Sequence, residues 1–106
     1  MKNRRDSTRE TSADAQREAA QAIAVEALAF LAAEPERIGR FLALTGIGPD
    51  AIRSAAGEPD FLAGVLDHVS GDERLLLEFA AHAEIKPAAV ERARASLGGI
   101  WERDLP

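Results

Sequence analysis

Four groups of residues have types that chemistry can use. Leu44-Thr45-Gly46-Ile47-Gly48-Pro49 places two glycines ahead of a proline. By residue type alone, such a run caps one helix and starts the next. His68 and His82 are the only histidines, each near the end of an expected helix, where the dipole mildly favours a cation. No H-x-x-x-H or H-x-x-E spacing joins them, so a metal would need ligands converging from separate helices. Asp67 and His68 are sequence neighbours and point to different faces of a helix, which disfavours an orienting pair. Glu73 and Glu78 could in principle be catalytic carboxylates, but charged helix faces are the usual explanation. None of Ser7, Ser12, Ser54, Ser70 and Ser96 lies in a nucleophile-elbow context. No catalytic, cofactor-binding or metal-ligating residue is therefore assigned, no cofactor is expected, and the chain reads as a non-enzyme. The fourth group is Ile100, the lone tryptophan Trp101, and Arg103. They either fold back over the bundle or stand out as an anchor for a protein partner.

Composition says which elements must carry these groups. Alanine and leucine dominate the apolar set, and tyrosine is absent. Unbranched side chains lose little rotamer freedom in a helix, whereas strands favour β-branched and aromatic residues. The expected fold is all-α: one bundle of five or six short helices. With no cysteine, disulfides and thiolate chemistry are excluded. The net charge is −5, yet residues 1–10 carry +2, leaving −7 for the rest. An acidic body is a poor general partner for nucleic acid. The longest apolar run, Ala22–Ala33, is too short to span a bilayer and is broken by Glu26. A cytoplasmic location without membrane contact is expected.

In order, residues 1–11 read as a disordered basic tail, 12–99 as the helical domain and 100–106 as a C-terminal tail. Thr11-x-x-Asp14 has capping-box form and opens a helix from Ser12 to Ala33, its core stripe Ala19, Ile23, Ala27, Phe30 and Leu31. Pro35 starts a second helix to Leu44, with Ile38, Phe41, Leu42 and Leu44 inward. Gly46 suits a left-handed cap, Ile47 its hydrophobic contact, and Pro49 opens a short helix to Ala55. Pro59–Val69 buries Phe61, Leu62, Val65, Leu66 and Val69. Ser70-x-x-Glu73 has capping-box form ahead of a helix to Ala83, with Leu75, Leu76, Phe79, Ala80 and Ala83 inward. Pro87–Leu97 buries Val90, Ala93 and Leu97, and Gly98-Gly99 ends it.

A shift of 38 residues aligns Ile38 with Leu76, Phe41 with Phe79, Ile47 with Ile85, Pro49 with Pro87, Ile52 with Val90 and Ala55 with Ala93. An internal duplication of a helix-Pro-helix corner would leave this pattern. So would any two capped corners. Either way, the two corners should look alike.

Leu44–Pro49 resembles the hairpin of helix-hairpin-helix proteins, which often carry L-P-G-I-G-P. The resemblance implies non-sequence-specific phosphate binding through Gly46, Ile47 and Gly48. Ile52 stands where that family favours Ala, and Asp50, Glu58 and Asp60 surround the site with negative charge. A second resemblance runs from about residue 16 to 97. Thr45, Gly46, Ile47 and Pro49, then Phe61, Leu62, Val65, Leu66 and Asp67, then Asp72, Glu73, Leu75 and Leu76 carry it, with Arg53 and Pro59. They resemble short, uncharacterised alphaproteobacterial proteins classed as a domain of unknown function, with the pattern T-G-L-x-P, F-L-x-A-V-L-D, D-E-x-L-L. This implies no activity. The leading expectation is a small protein-interaction or regulatory protein with an unknown protein partner. The alternative is weak nucleic-acid binding through the Gly-Ile-Gly-Pro turn.

Overall fold

Pro35, Pro59 and Pro87 each open a helix, where a missing N–H costs nothing because the first amides lack intrahelical acceptors. The computed structural model describes the backbone of residues 3–104 and the side chains of residues 14–97. Within them lie α1 (Asn3–Ala32), α2 (Pro35–Thr45), α3 (Ile52–Ala55), α4 (Pro59–Ser70), α5 (Glu73–Ala83) and α6 (Pro87–Asp104). A 3-10 turn, Pro49–Ala51, leads into α3. The fold is the expected all-α bundle, with six helices. Two are long, α1 with 30 residues and α6 with 18.

Helices α1, α4 and α6 pack most extensively on one another and form the centre. Ala20, Ala24, Ala27 and Leu31 of α1, Val65, Leu66 and Val69 of α4, and Val90 of α6 are fully buried. Helix α2 lies on α1, and α5 lies on α4 and α6. They add Phe41 and Phe79 to the same core. All five inward positions expected on α4, and all three on α6, face that core, with Phe61 half-buried.

Several boundaries and positions differ from the sequence expectation. Helix α1 begins at Asn3, inside the stretch expected to be a tail, and Thr11 lies within it rather than capping it. No glycine or proline precedes Pro35, so nothing local stops the helix from propagating towards the N-terminus. The buried α1 stripe is Ala20-Ala24-Ala27-Leu31, whereas Ala19 is exposed and Ile23 half-buried. Two alanine stripes one residue apart fit the same period, and packing selects between them. Leu44 is exposed, because at about 100° per residue it stands over a quarter turn from the Ile38-Phe41-Leu42 stripe. The cap of α5 is Asp72, whose Oδ1 accepts from the amides of Arg74 (3.1 Å) and Leu75 (3.2 Å). Ser70 belongs to α4, and its Oγ is buried without a partner. Helix α6 runs through Gly98-Gly99 to Asp104, since glycine costs about 1 kcal/mol in a helix but does not forbid one.

The two corners share their turn. Gly46 and Glu84, 38 residues apart, are both left-handed, at φ 75° and φ 57°. The Gly46 amide donates to Leu42 O at 2.8 Å, a single left-handed-cap bond. At the second corner Ile85 N donates to Ala80 O (2.9 Å) and Glu84 N to Ala81 O (3.3 Å), the paired bonds of a Schellman cap. Phe41 and Phe79 are both buried, and Ile38 and Leu76 both pack against the core from its edge. Beyond the turn the corners diverge: Pro49 opens one 3-10 turn and the short α3, while Pro87 opens the long α6. Glu84 is the only non-glycine residue at positive φ among those described. An L-residue there costs roughly 1–2 kcal/mol. Glu84→Gly should therefore raise stability by about 1 kcal/mol in urea denaturation, and Gly46→Ala should lower it by a similar amount.

Candidate interaction site

Helices α2 and α5 meet across a polar pocket of about 310 Å³ that opens to solvent. Glu36, Arg37 and Arg40 line it from α2, His68 from α4, and Asp72, Arg74, Leu75 and Glu78 from the α5 side. The anchor is Arg37. Its guanidinium lies 4.2 Å from the centre of the Phe30 ring, and its Nη2 donates to Glu78 Oε2 at 3.0 Å. Phe30 in turn touches Phe79 (5.5 Å between ring centres) and His82 (5.1 Å). One aromatic ring of α1 thereby fixes an arginine of α2 and two residues of α5. Arg74 approaches the other oxygen of Glu78 at 3.7 Å, so two guanidiniums share one carboxylate. Arg40 makes no ion pair among the described residues.

His68 closes the inner wall, edge-on to Phe41 with 5.2 Å between ring centres. Burial pushes its imidazole below the ordinary value of 6.5; Asp72 opposes this and Arg40 reinforces it. His68 and His82 thus sit against different phenylalanines, Phe41 and Phe30. Among the described residues no cluster of three or more histidine or acidic side chains could hold a metal. Glu78 is engaged with two arginines, while Glu73 stands exposed in the first turn of α5.

Helices α2 and α5 each carry an exposed leucine. Leu44 lies one turn beyond Arg40 on α2 and is 70% exposed; Leu77 lies three residues beyond Arg74 on α5 and is 50% exposed. The pocket is not visible in the sequence. Arg37 and Glu78 are 41 residues apart and carry no motif. A second groove, of about 570 Å³, runs between α1 and α6 and is lined mainly by small residues such as Ala19, Ala89 and Ala93.

Two of the three amides in the Gly46–Gly48 turn are spent internally. Gly46 N bonds Leu42 O, and Ile47 N donates to Thr45 Oγ1 at 3.4 Å. The Thr45 hydroxyl itself donates to Phe41 O at 2.9 Å. Gly48 has φ −77°, which any residue adopts, and the helix after the turn, α3, has four residues. The side chains of Ile100, Trp101 and Arg103 lie outside the described residues.

Burial of His68 also links stability to pH. Its folded-state pKa lies below 6.5, so the unfolded chain takes up the proton first as pH falls. The associated stability is present above 6.5 and declines as pH drops from there to the folded-state value. Urea midpoints at pH 7.5 and 5.5 should show the wild-type chain losing its advantage over His68→Gln on acidification.

No helix among the described residues is long and apolar enough to cross a membrane. No curated protein and no solved structure matches the chain. A family model does match it, over residues 17–100, which include the whole pocket and both corners. The chain belongs to the DUF3572 family, described as proteins of unknown function.

Proposed function

We propose that the chain is a small, non-enzymatic interaction or regulatory module of the cytoplasm that contacts another protein through the α2–α5 face. One observation carries this reading: an open pocket lined by three arginines and three carboxylates, between two helices that each expose a leucine. Arginine is enriched at the energetic centres of protein interfaces, and apolar neighbours exclude water around them. Arg37 is held by stacking on Phe30 and by Glu78, so that one guanidinium loses little freedom on binding. Ile100, Trp101 and Arg103 offer a second contact in the same reading, since tryptophan supplies large, rigid contact area. Nucleic-acid binding through Gly46, Ile47 and Gly48 has less support. Two of those amides already donate within the chain, and Asp50, Glu58 and Asp60 repel phosphate.

The test is an affinity capture from the native host, comparing the wild-type chain with a Leu44→Asp/Leu77→Asp double variant. Both leucines are exposed, so the variant should keep its melting temperature within a few degrees while losing the captured protein. Equal capture by both chains would contradict the assigned face. Trp101→Ala in the same assay should reduce capture without lowering the melting temperature. A lowered melting temperature would instead make the tail part of the core. Binding of a DNA fragment that falls steeply with salt, and is lost on Gly48→Glu, would reverse the order of the two readings.

A further inference from the structure

Helix α2, with the turn and the short helix that follow it, is held to the bundle by few contacts. Phe41 is the one buried side chain of α2, and no residue between Phe41 and Leu62 is buried. Ile38, Leu42, Ile52 and Ala56 pack on the core only from its edge. Helix α3 packs chiefly on the 3-10 turn before it. The polar tie is Arg37, stacked on Phe30 and paired with Glu78 near the surface, where such pairs are weak. By contrast, α4 buries five side chains and packs on α1, α5 and α6. Segments with few buried apolar contacts open locally, ahead of global unfolding. Both ends of this one are residues of extended backbone ahead of a proline: Glu34 (φ −121°, ψ 120°) and Glu58 (φ −97°, ψ 127°).

His68 lies beneath this segment. Its ring stands edge-on to Phe41 with 5.2 Å between centres, and Phe61 meets the same phenylalanine at 5.8 Å. We infer that residues 35–58 form a flap that opens from the bundle as a unit, with His68 as a latch that favours the open form in acid. Lifting α2 takes Phe41 off the imidazole and lets water reach it. Burial is the largest cause holding His68 below the ordinary 6.5, so the open form takes up the proton first as pH falls. The charged groups facing His68 are Glu36, Arg37 and Arg40 from α2 and Asp72, Arg74 and Glu78 from the α5 side. Asp67 precedes it on α4, and neither α1 nor α6 lines this pocket. Two arginines and one carboxylate leave with the flap, while one arginine and two carboxylates stay. Opening therefore exchanges net positive for net negative charge beside the imidazole, which also favours its protonation. The flap stands independently of any partner at the α2–α5 face, although Arg37, Arg40 and Leu44 ride on it and opening takes that face apart.

Amide hydrogen exchange on the full chain tests this, followed residue by residue at pH 7.5 and 5.5 and converted to opening constants with the intrinsic rates divided out. At pH 7.5 the α2 amides should open at least about tenfold more readily than those of α4 and α6. Low urea should leave the α2 values nearly unchanged while those of α4 and α6 rise. From pH 7.5 to 5.5 the α2 opening constant should rise by more than about twofold. The ceiling is about tenfold, for one proton taken up at 6.5. His68→Gln should keep the separate opening of α2 and lose its pH response, with His68→Phe as a second neutral replacement if the glutamine chain does not fold. Amides of α2 as protected as those of α4 and α6, and as sensitive to urea, would overturn the inference. So would an α2 opening constant that ignores pH, or one that rises as much without the imidazole as with it.

Discussion

Three helices can meet closely here because α1 presents methyl groups to the centre of the bundle. Ala20, Ala24 and Ala27 are completely buried, in one core cluster with Val65, Leu66 and Val69 of α4 and Val90 and Leu97 of α6. Burying a side chain of that size is worth roughly 1.5–3 kcal/mol, and α1 adds Leu28, Phe30 and Leu31 to this apolar stabilisation while its alanines supply the proximity. The flanking helices inherit their positions from this centre. Helix α2 leaves α1 through Ala33-Glu34, and α5 leaves α4 through Gly71-Asp72. Links this short leave α2 and α5 little choice of place. They converge over Phe30, which fixes the wall of the polar pocket.

The pocket itself contributes little to folding. Exposed ion pairs are worth about 0–1 kcal/mol, and Arg37 and Glu78 are only partly covered. The stacking of Arg37 on Phe30 adds roughly 0.5–1 kcal/mol. The Arg94–Asp67 pair, which ties α6 to α4 on another face, is of the same modest class. What these contacts do is hold charged side chains in place. A guanidinium already oriented, as Arg37 is, would lose little freedom on meeting a further group.

Much of the helical architecture was legible in the sequence because it is written in residues with strong local physics. Pro35, Pro49, Pro59 and Pro87 mark starts, and Gly46 marks a left-handed cap. The apolar stripes of α4, α5 and α6 follow one helical face closely enough to name their buried members. The correspondence of Gly46 with Glu84 comes from the 38-residue register, although only the backbone shows that both are left-handed. Other features had no local signature. Ala19 and Ala20 are interchangeable by type, so only packing decides which is buried. Asp72, not Ser70, caps α5, because α4 runs one residue longer than its apolar stripe. The pocket depends on long-range pairing of ordinary charged residues, which periodicity and short motifs do not encode. The Gly-Ile-Gly-Pro turn illustrates the opposite case: its local form was evident, but the Gly46 amide caps α2 and the Ile47 amide bonds the Thr45 hydroxyl.

Close approach at the α1 alanines underlies the whole arrangement, and urea denaturation of Ala24→Leu tests it most directly, with Ala29→Leu on the exposed face as its control. Overpacking the buried site should cost about 1–3 kcal/mol, while the control stays within about 0.5 kcal/mol of wild type. An Ala24→Leu chain as stable as wild type would mean that the three central helices do not meet this closely, and the placement of α2 and α5 would lose its physical basis.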